Sequence, residues 1–188
     1  MRLALALMLS LQALTLHAQG VELARLQVAR NGDGLELEAA VRFDLPAAVQ
    51  DALSKGLPII FVETAEVYRE RWYWLDKRVA GAQRQLRLVF QPLSRRWRLT
   101  VGGDADPSLA LAQSFDSLEE ATRVIRHVYG WRVADLGELE PGARYRVDFQ
   151  FRLDLAQLPR PLQIGAMGES DWALSVSGSR RLQPESLK

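Results

Sequence analysis

Polar and apolar residues alternate along most of this chain at the two-residue period of a β-strand, most cleanly over residues 145–155. There Tyr145, Val147, Phe149, Phe151, Leu153 and Leu155 fall on one side, with Arg146, Asp148, Gln150, Arg152 and Asp154 on the other. Successive side chains of a strand point to opposite faces, so this predicts a strand with one face in a core and one in water. Leu35, Leu37, Ala39, Val41 and Phe43 repeat the pattern after Asn31-Gly32-Asp33-Gly34, a strong turn signal, so residues 21–44 predict a hairpin. Residues 57–101 predict a three-strand antiparallel meander. Its first strand runs from Ile59 through Tyr68-Arg69-Glu70-Arg71-Trp72-Tyr73-Trp74-Leu75-Asp76. That places Tyr68, Glu70, Trp72, Trp74 and Asp76 on one face and Arg69, Arg71, Tyr73, Leu75 and Lys77 on the other. Leu86, Leu88 and Phe90 and then, beyond a turn at Pro92-Leu93-Ser94-Arg95, Trp97, Leu99 and Val101 supply the inward rows of the next two strands.

Two stretches depart from this period. Asp44 is a candidate N-cap with Pro46 in the first turn, and Val49, Ala52 and Leu53 recur at helical spacing before Gly56, predicting a helix near 46–55. Asp116 and Glu119 make a capping-box-like pair. Leu118, Ala121, Val124, Ile125 and Val128 then form one apolar face ending at Gly130, predicting a second helix over 117–129. Trp131–Leu136 predicts a short strand, Pro141-Gly142 a turn, and Leu158-Pro159-Arg160-Pro161 a break. A last strand is expected around Trp172–Val176. The resulting architecture is mainly β: an antiparallel, sandwich-like domain over residues 19–182 with two short amphipathic helices, α+β being the alternative, and a polar tail at 183–188.

The start of the chain adds a destination. Met1-Arg2 is a short positive segment, and residues 3–16 are apolar apart from Ser10, Gln12 and Thr15. This reads as a signal peptide over 1–18, cleaved after Ala18, the alternative being a retained N-terminal anchor. An exported chain with no cysteine must be stable without disulfides, and it has no thiolate for catalysis or metal binding. With Lys+Arg at 24 and Asp+Glu at 23 the charge is balanced, which argues against nucleic acid as a partner. No other apolar run is long enough to span a membrane once the signal is gone.

Candidate chemistry is sparse. Outside the signal, His127 is the single histidine, expected on the exposed side of the second helix with Glu120 and Arg123. One histidine without cysteine makes a zinc site implausible. Asp104 with Asp106 sits in a Gly-rich loop, and Glu119 with Glu120 in a first helical turn where acids are favoured in any case. We therefore expect no catalytic residue, no metal and no cofactor. The distinctive feature is the Arg-aromatic block, for Trp, Tyr and Arg dominate binding hot spots. Arg69, Arg71 and Tyr73 are the candidate partner-binding residues, and Trp72 and Trp74 are expected in the core.

These residues also carry a resemblance. Gly56-Leu57-Pro58-Ile59, Arg71-Trp72-Tyr73-Trp74, Arg95-Arg96-Trp97-Arg98-Leu99, Phe115 with Glu120-Ala121, Tyr145, Leu158-Pro159-Arg160-Pro161-Leu162 and Asp171-Trp172-Ala173-Leu174 follow one another in an ordered set. Together they resemble the exported bacterial family catalogued as domain of unknown function 4390. The departure is at the end, where Ser175-Val176-Ser177-Gly178-Ser179 carries no aromatic. The resemblance implies a periplasmic envelope protein of Gram-negative bacteria, and it suggests a membrane sensor kinase as partner. The expected function is a non-enzymatic module that binds an envelope protein or serves as a signalling accessory. A periplasmic small-ligand or lipid-binding protein is the alternative.

Overall fold

A computed structural model of the chain describes residues 20–73, 75–103, 110–158, 172 and 174–184. The predicted signal peptide, Trp74, Asp104, Asp106 and the Pro159-Arg160-Pro161 break lie outside the described residues. The order of elements is β1 (Glu22–Asn31), β2 (Gly34–Arg42), α1 (Ala47–Ser54), β3 (Ile59–Arg69), β4 (Lys77–Gln91), β5 (Arg96–Gly103), β6 (Leu111–Phe115), α2 (Leu118–Ile125), β7 (His127–Asp135), β8 (Tyr145–Leu153) and β9 (Ser175–Leu182).

These strands make a β-sandwich of two antiparallel sheets, one of three strands ordered β1-β2-β7 and one of six ordered β6-β5-β4-β3-β8-β9. The predicted meander is β3-β4-β5, and the sharpest alternation in the sequence, β8, pairs with β3 along its length. The inward rows meet between the sheets: Leu35, Leu37, Ala39 and Val41 from β2 against Phe61, Ala65 and Val67 from β3 and Val147, Phe149 and Phe151 from β8, all buried. At one end of this core Phe43, Phe61 and Phe151 pack together with ring centroids 5.3–5.9 Å apart. A buried Phe contributes about 150–250 Å² of apolar burial, so this trio is a principal fastening between the sheets.

Helix α1 buries Val49, Ala52 and Leu53, the three residues its spacing singled out. Its N-cap is Pro46, with no side-chain capping bond. Asp44 is drawn away instead, 3.6 Å from the Arg126 guanidinium. Helix α2 starts one residue later than expected. Ser117 is its N-cap, accepting from the Glu120 N–H, while Glu120 accepts from the Asp116 N–H; the capping pair is therefore Ser117 with Glu120. Helix α2 also ends early, at Ile125, because the chain enters β7 at once, and His127 and Val128 belong to that strand. Gly130, expected to stop the helix, has φ +53° and lies in a bulge, where Tyr129-Gly130 intrudes between Val128 and Trp131 opposite Ala39 and Leu37.

Three further differences concern strands. β6, a short edge strand beside β5, gave no usable alternation and was not expected. The last strand lies later than expected, at Ser175–Leu182, with Trp172 and Leu174 buried just before it. The first strand of the meander is shorter than expected: it ends at Arg69, and the described residues 70–73, 75 and 76 belong to the loop before β4 begins at Lys77. Arg69, Arg71 and Tyr73 therefore do not share a strand face. Trp72, expected in the core, is 92% exposed, because β3 ends at Arg69 and Trp72 lies in the loop beyond it.

Candidate functional site

The β3–β4 loop has a braced stem and a bare tip. The last rung of the β3 ladder is the Glu70 N–H donating to the Arg144 carbonyl at 2.9 Å, and the Arg71 N–H donates across the loop to the Asp76 carboxylate at 3.4 Å. Ion pairs flank it. Arg69 pairs with Glu140, Glu70 with Arg181 at 3.0 Å, and Asp76 with Arg146 at 3.3 Å. Arg146 also pairs with Asp148 at 3.1 Å and lies over the Tyr68 ring, 5.1 Å from its centroid. Tyr68 donates its hydroxyl to Glu66 at 2.7 Å, and Arg78 pairs with Glu66 at 2.9 Å. The hydrogen bond to Glu66 holds the Tyr68 proton and raises its pKa. Each such exposed pair contributes little alone, but the set fixes the stem from β4, β8, β9 and the β7–β8 connection.

Beyond the stem, Trp72 and Leu75 are 92% and 87% exposed and Tyr73 is exposed as well. Trp72 and Tyr73 meet edge-to-face, 4.6 Å between centroids. Of the predicted partner-binding residues, then, Tyr73 is at the tip, Arg71 is half-buried at its base, and Arg69 is engaged with Glu140. Leu75, two residues beyond Tyr73, is exposed in the same loop.

A second Arg-aromatic arrangement lies in the core, and sequence reading passed over it. Glu63 is wholly buried between Phe61 and Ala65, and Arg84, opposite it on β4, donates from Nε to Glu63 Oε2. The Arg84 guanidinium stands 4.8 Å from the ring centre of Trp131 on β7, bridging the sheets. Glu63 Oε1 is buried with no hydrogen-bond partner. Desolvation therefore pushes the Glu63 carboxyl up from its ordinary 4.5, with the Arg84 charge and hydrogen bond pulling the other way. The signal was available in parity: Glu63 alternates with Phe61, Ala65 and Val67, and Arg84 with Leu86 and Leu88.

His127 has its Nδ1 2.9 Å from the Arg123 carbonyl, which sets the tautomer because a carbonyl only accepts, and its ring stacks on Tyr129. No carboxylate among the described residues hydrogen-bonds to that ring, and no cluster of three acidic or histidine ligands occurs among them. Glu119 pairs with Arg126 at 3.4 Å and Glu120 caps α2, so neither of that carboxylate pair is in an acid–base setting. The clefts are open. One, about 470 Å³, runs beside Thr64, Glu66, Gly81, Gln83 and Trp131. No helix among the described residues is long and apolar enough to cross a membrane.

No curated protein and no solved structure matches the chain. Its residues 18–182 match the family model described as a domain of unknown function (DUF4390), and the chain belongs to that family.

Proposed function

We propose that this is an exported, periplasmic envelope module that works by binding, without chemistry of its own, and that the tip of the β3–β4 hairpin is its contact element. The observation that carries this reading is the exposure of Trp72, Tyr73 and Leu75 together on a stem held by ion pairs. Large apolar side chains left in water on a rigid support incur no fold-stabilising gain, and aromatic residues beside arginine recur at binding hot spots. Export is supported by the positive, then apolar, then small-residue pattern of residues 1–18. An envelope protein partner, a membrane sensor kinase being the one the family resemblance suggests, belongs to this same reading.

The test is paired. Wild type and a Trp72→Ser/Leu75→Ser variant are compared by thermal unfolding and by capture of envelope components from solubilised membranes, followed by mass spectrometry. Unchanged unfolding with lost capture is expected. Capture that survives the double substitution moves the contact element elsewhere.

A further inference from the structure

We propose that the hairpin tip seats on an anionic lipid bilayer surface, with Trp72, Tyr73 and Leu75 entering the headgroup region and the cations behind them facing lipid phosphates. This rests on the reading of the tip as the contact element and names what it contacts.

Three observations support it. The tip stands out into solvent: Trp72 and Leu75 are almost fully exposed, and Trp72 meets the exposed Tyr73 edge-to-face. A protein partner would have to supply a matching pocket, whereas a bilayer interface yields around protruding side chains. The residue types are those of membrane interfaces, where the amphipathic rings of Trp and Tyr sit at headgroup level and an aliphatic side chain reaches the acyl boundary. The charge flanking the loop is predominantly basic. The described acids that flank the loop are ion-paired, Glu66 with Arg78, Glu70 with Arg181, Asp76 and Asp148 with Arg146, and Glu140 with Arg69. Arg71, Lys77, Arg144 and Arg180 have no ion pair among the described residues, and Lys77, Arg144 and Arg180 are exposed. Arg144 borders the loop through its carbonyl, and Arg180 lies in β9 opposite Val147, on the same end of the sheet. Basic residues next to an apolar element are what an anionic surface attracts, and the attraction falls with salt.

The absence of cysteine gives a direct readout. Tyr73→Cys and, separately, Leu93→Cys carry a unique thiol for an environment-sensitive fluorophore. Leu93 is fully exposed at the β4–β5 turn, the opposite end of the sheet. Vesicles of phosphatidylcholine with and without phosphatidylglycerol are the probes. The expected result is that the Tyr73→Cys label shifts to a less polar environment on anionic vesicles only, and the Leu93→Cys label on neither. Adding Trp72→Ser/Leu75→Ser should abolish the shift, and each of Arg71→Gln and Lys77→Gln should weaken vesicle affinity about fivefold. Because the label reports the tip, an N-terminal segment that itself meets lipid does not produce the signal.

A tip label silent on anionic vesicles, or equally responsive to neutral ones, overturns the proposal. Silence together with envelope capture that depends on Trp72 and Leu75 leaves the contact element in place and assigns it a protein partner. Silence together with capture indifferent to those residues overturns both readings.

Discussion

Arginine meets tryptophan in two regions of this molecule, and the two could hardly be used more differently. Between the sheets, Arg84 lies against Trp131 and is bonded to a carboxylate sealed from water. At the hairpin tip, Arg71 adjoins a Trp72 that is almost wholly exposed. Residue type does not separate the cases; position within a strand or beyond its end does. Where β7 crosses above β4, arginine and tryptophan close the core. In the loop beyond β3 the same residue types lie outside the core, with Trp72 almost wholly exposed.

The comparison is most severely tested by breaking the buried pair. Arg84→Ala leaves Glu63 buried without its counter-ion and should cost about 3–5 kcal/mol in denaturant unfolding. Replacing both partners by Leu and Met should restore much of that loss. A cost of Arg84→Ala below about 1 kcal/mol would mean that the guanidinium is not needed in the core. Phe151→Ala, within the phenylalanine trio, should cost a similar amount, about 3–5 kcal/mol, and serves as an apolar reference for the same region.

A pH series sharpens the buried side further. An acid whose folded pKa is raised holds its proton more tightly folded than unfolded. The stability of wild type relative to Glu63→Gln should therefore be highest below the unfolded value near 4.5, and it should fall as pH rises from there through the folded value. A difference that grows with pH would show that Arg84 outweighs the desolvation.

Smaller effects are expected towards the tip. Arg69→Ala, which releases Glu140 at the half-buried stem, should cost at most about 1 kcal/mol. Arg71→Ala and Trp72→Ala should each change stability by no more than about 0.5 kcal/mol. A Trp72 variant that melts well below wild type would return the tip to the core account.

How the two regions read in the sequence follows from the same geometry. Period-two alternation located the inward rows of β2, β4, β5 and β8 because those strands have one buried and one solvated face. It overran at Arg69, since Arg71, Tyr73 and Leu75 continue the parity of the strand and alternation carries no mark for where the strand itself stops. Glu63 was overlooked for the opposite reason: a charge in an inward row looks like noise until its cross-strand partner is known. The α2–β7 junction misled because Val128 fits a helical face drawn from Ile125 as well as it fits the strand it belongs to. β6 had too short and too polar a run to register.

Gly178 in β9 sits under Leu23 and Leu26 of β1, close enough that a side chain at position 178 would collide with Leu23. The first and last strands of the fold thus lie against each other across the two sheets, with the whole chain looped between them. Loop closure over that span is slow to nucleate. A chain emerging from its N-terminus must hold the β1–β2 hairpin with Leu23 and Leu26 uncovered until residues 175–182 arrive, so assembly of the sandwich waits on that strand. Shortening the chain by those residues should then strand a sticky intermediate rather than a smaller native protein, and a chaperone that shields apolar hairpins would have its longest task at the outset of folding.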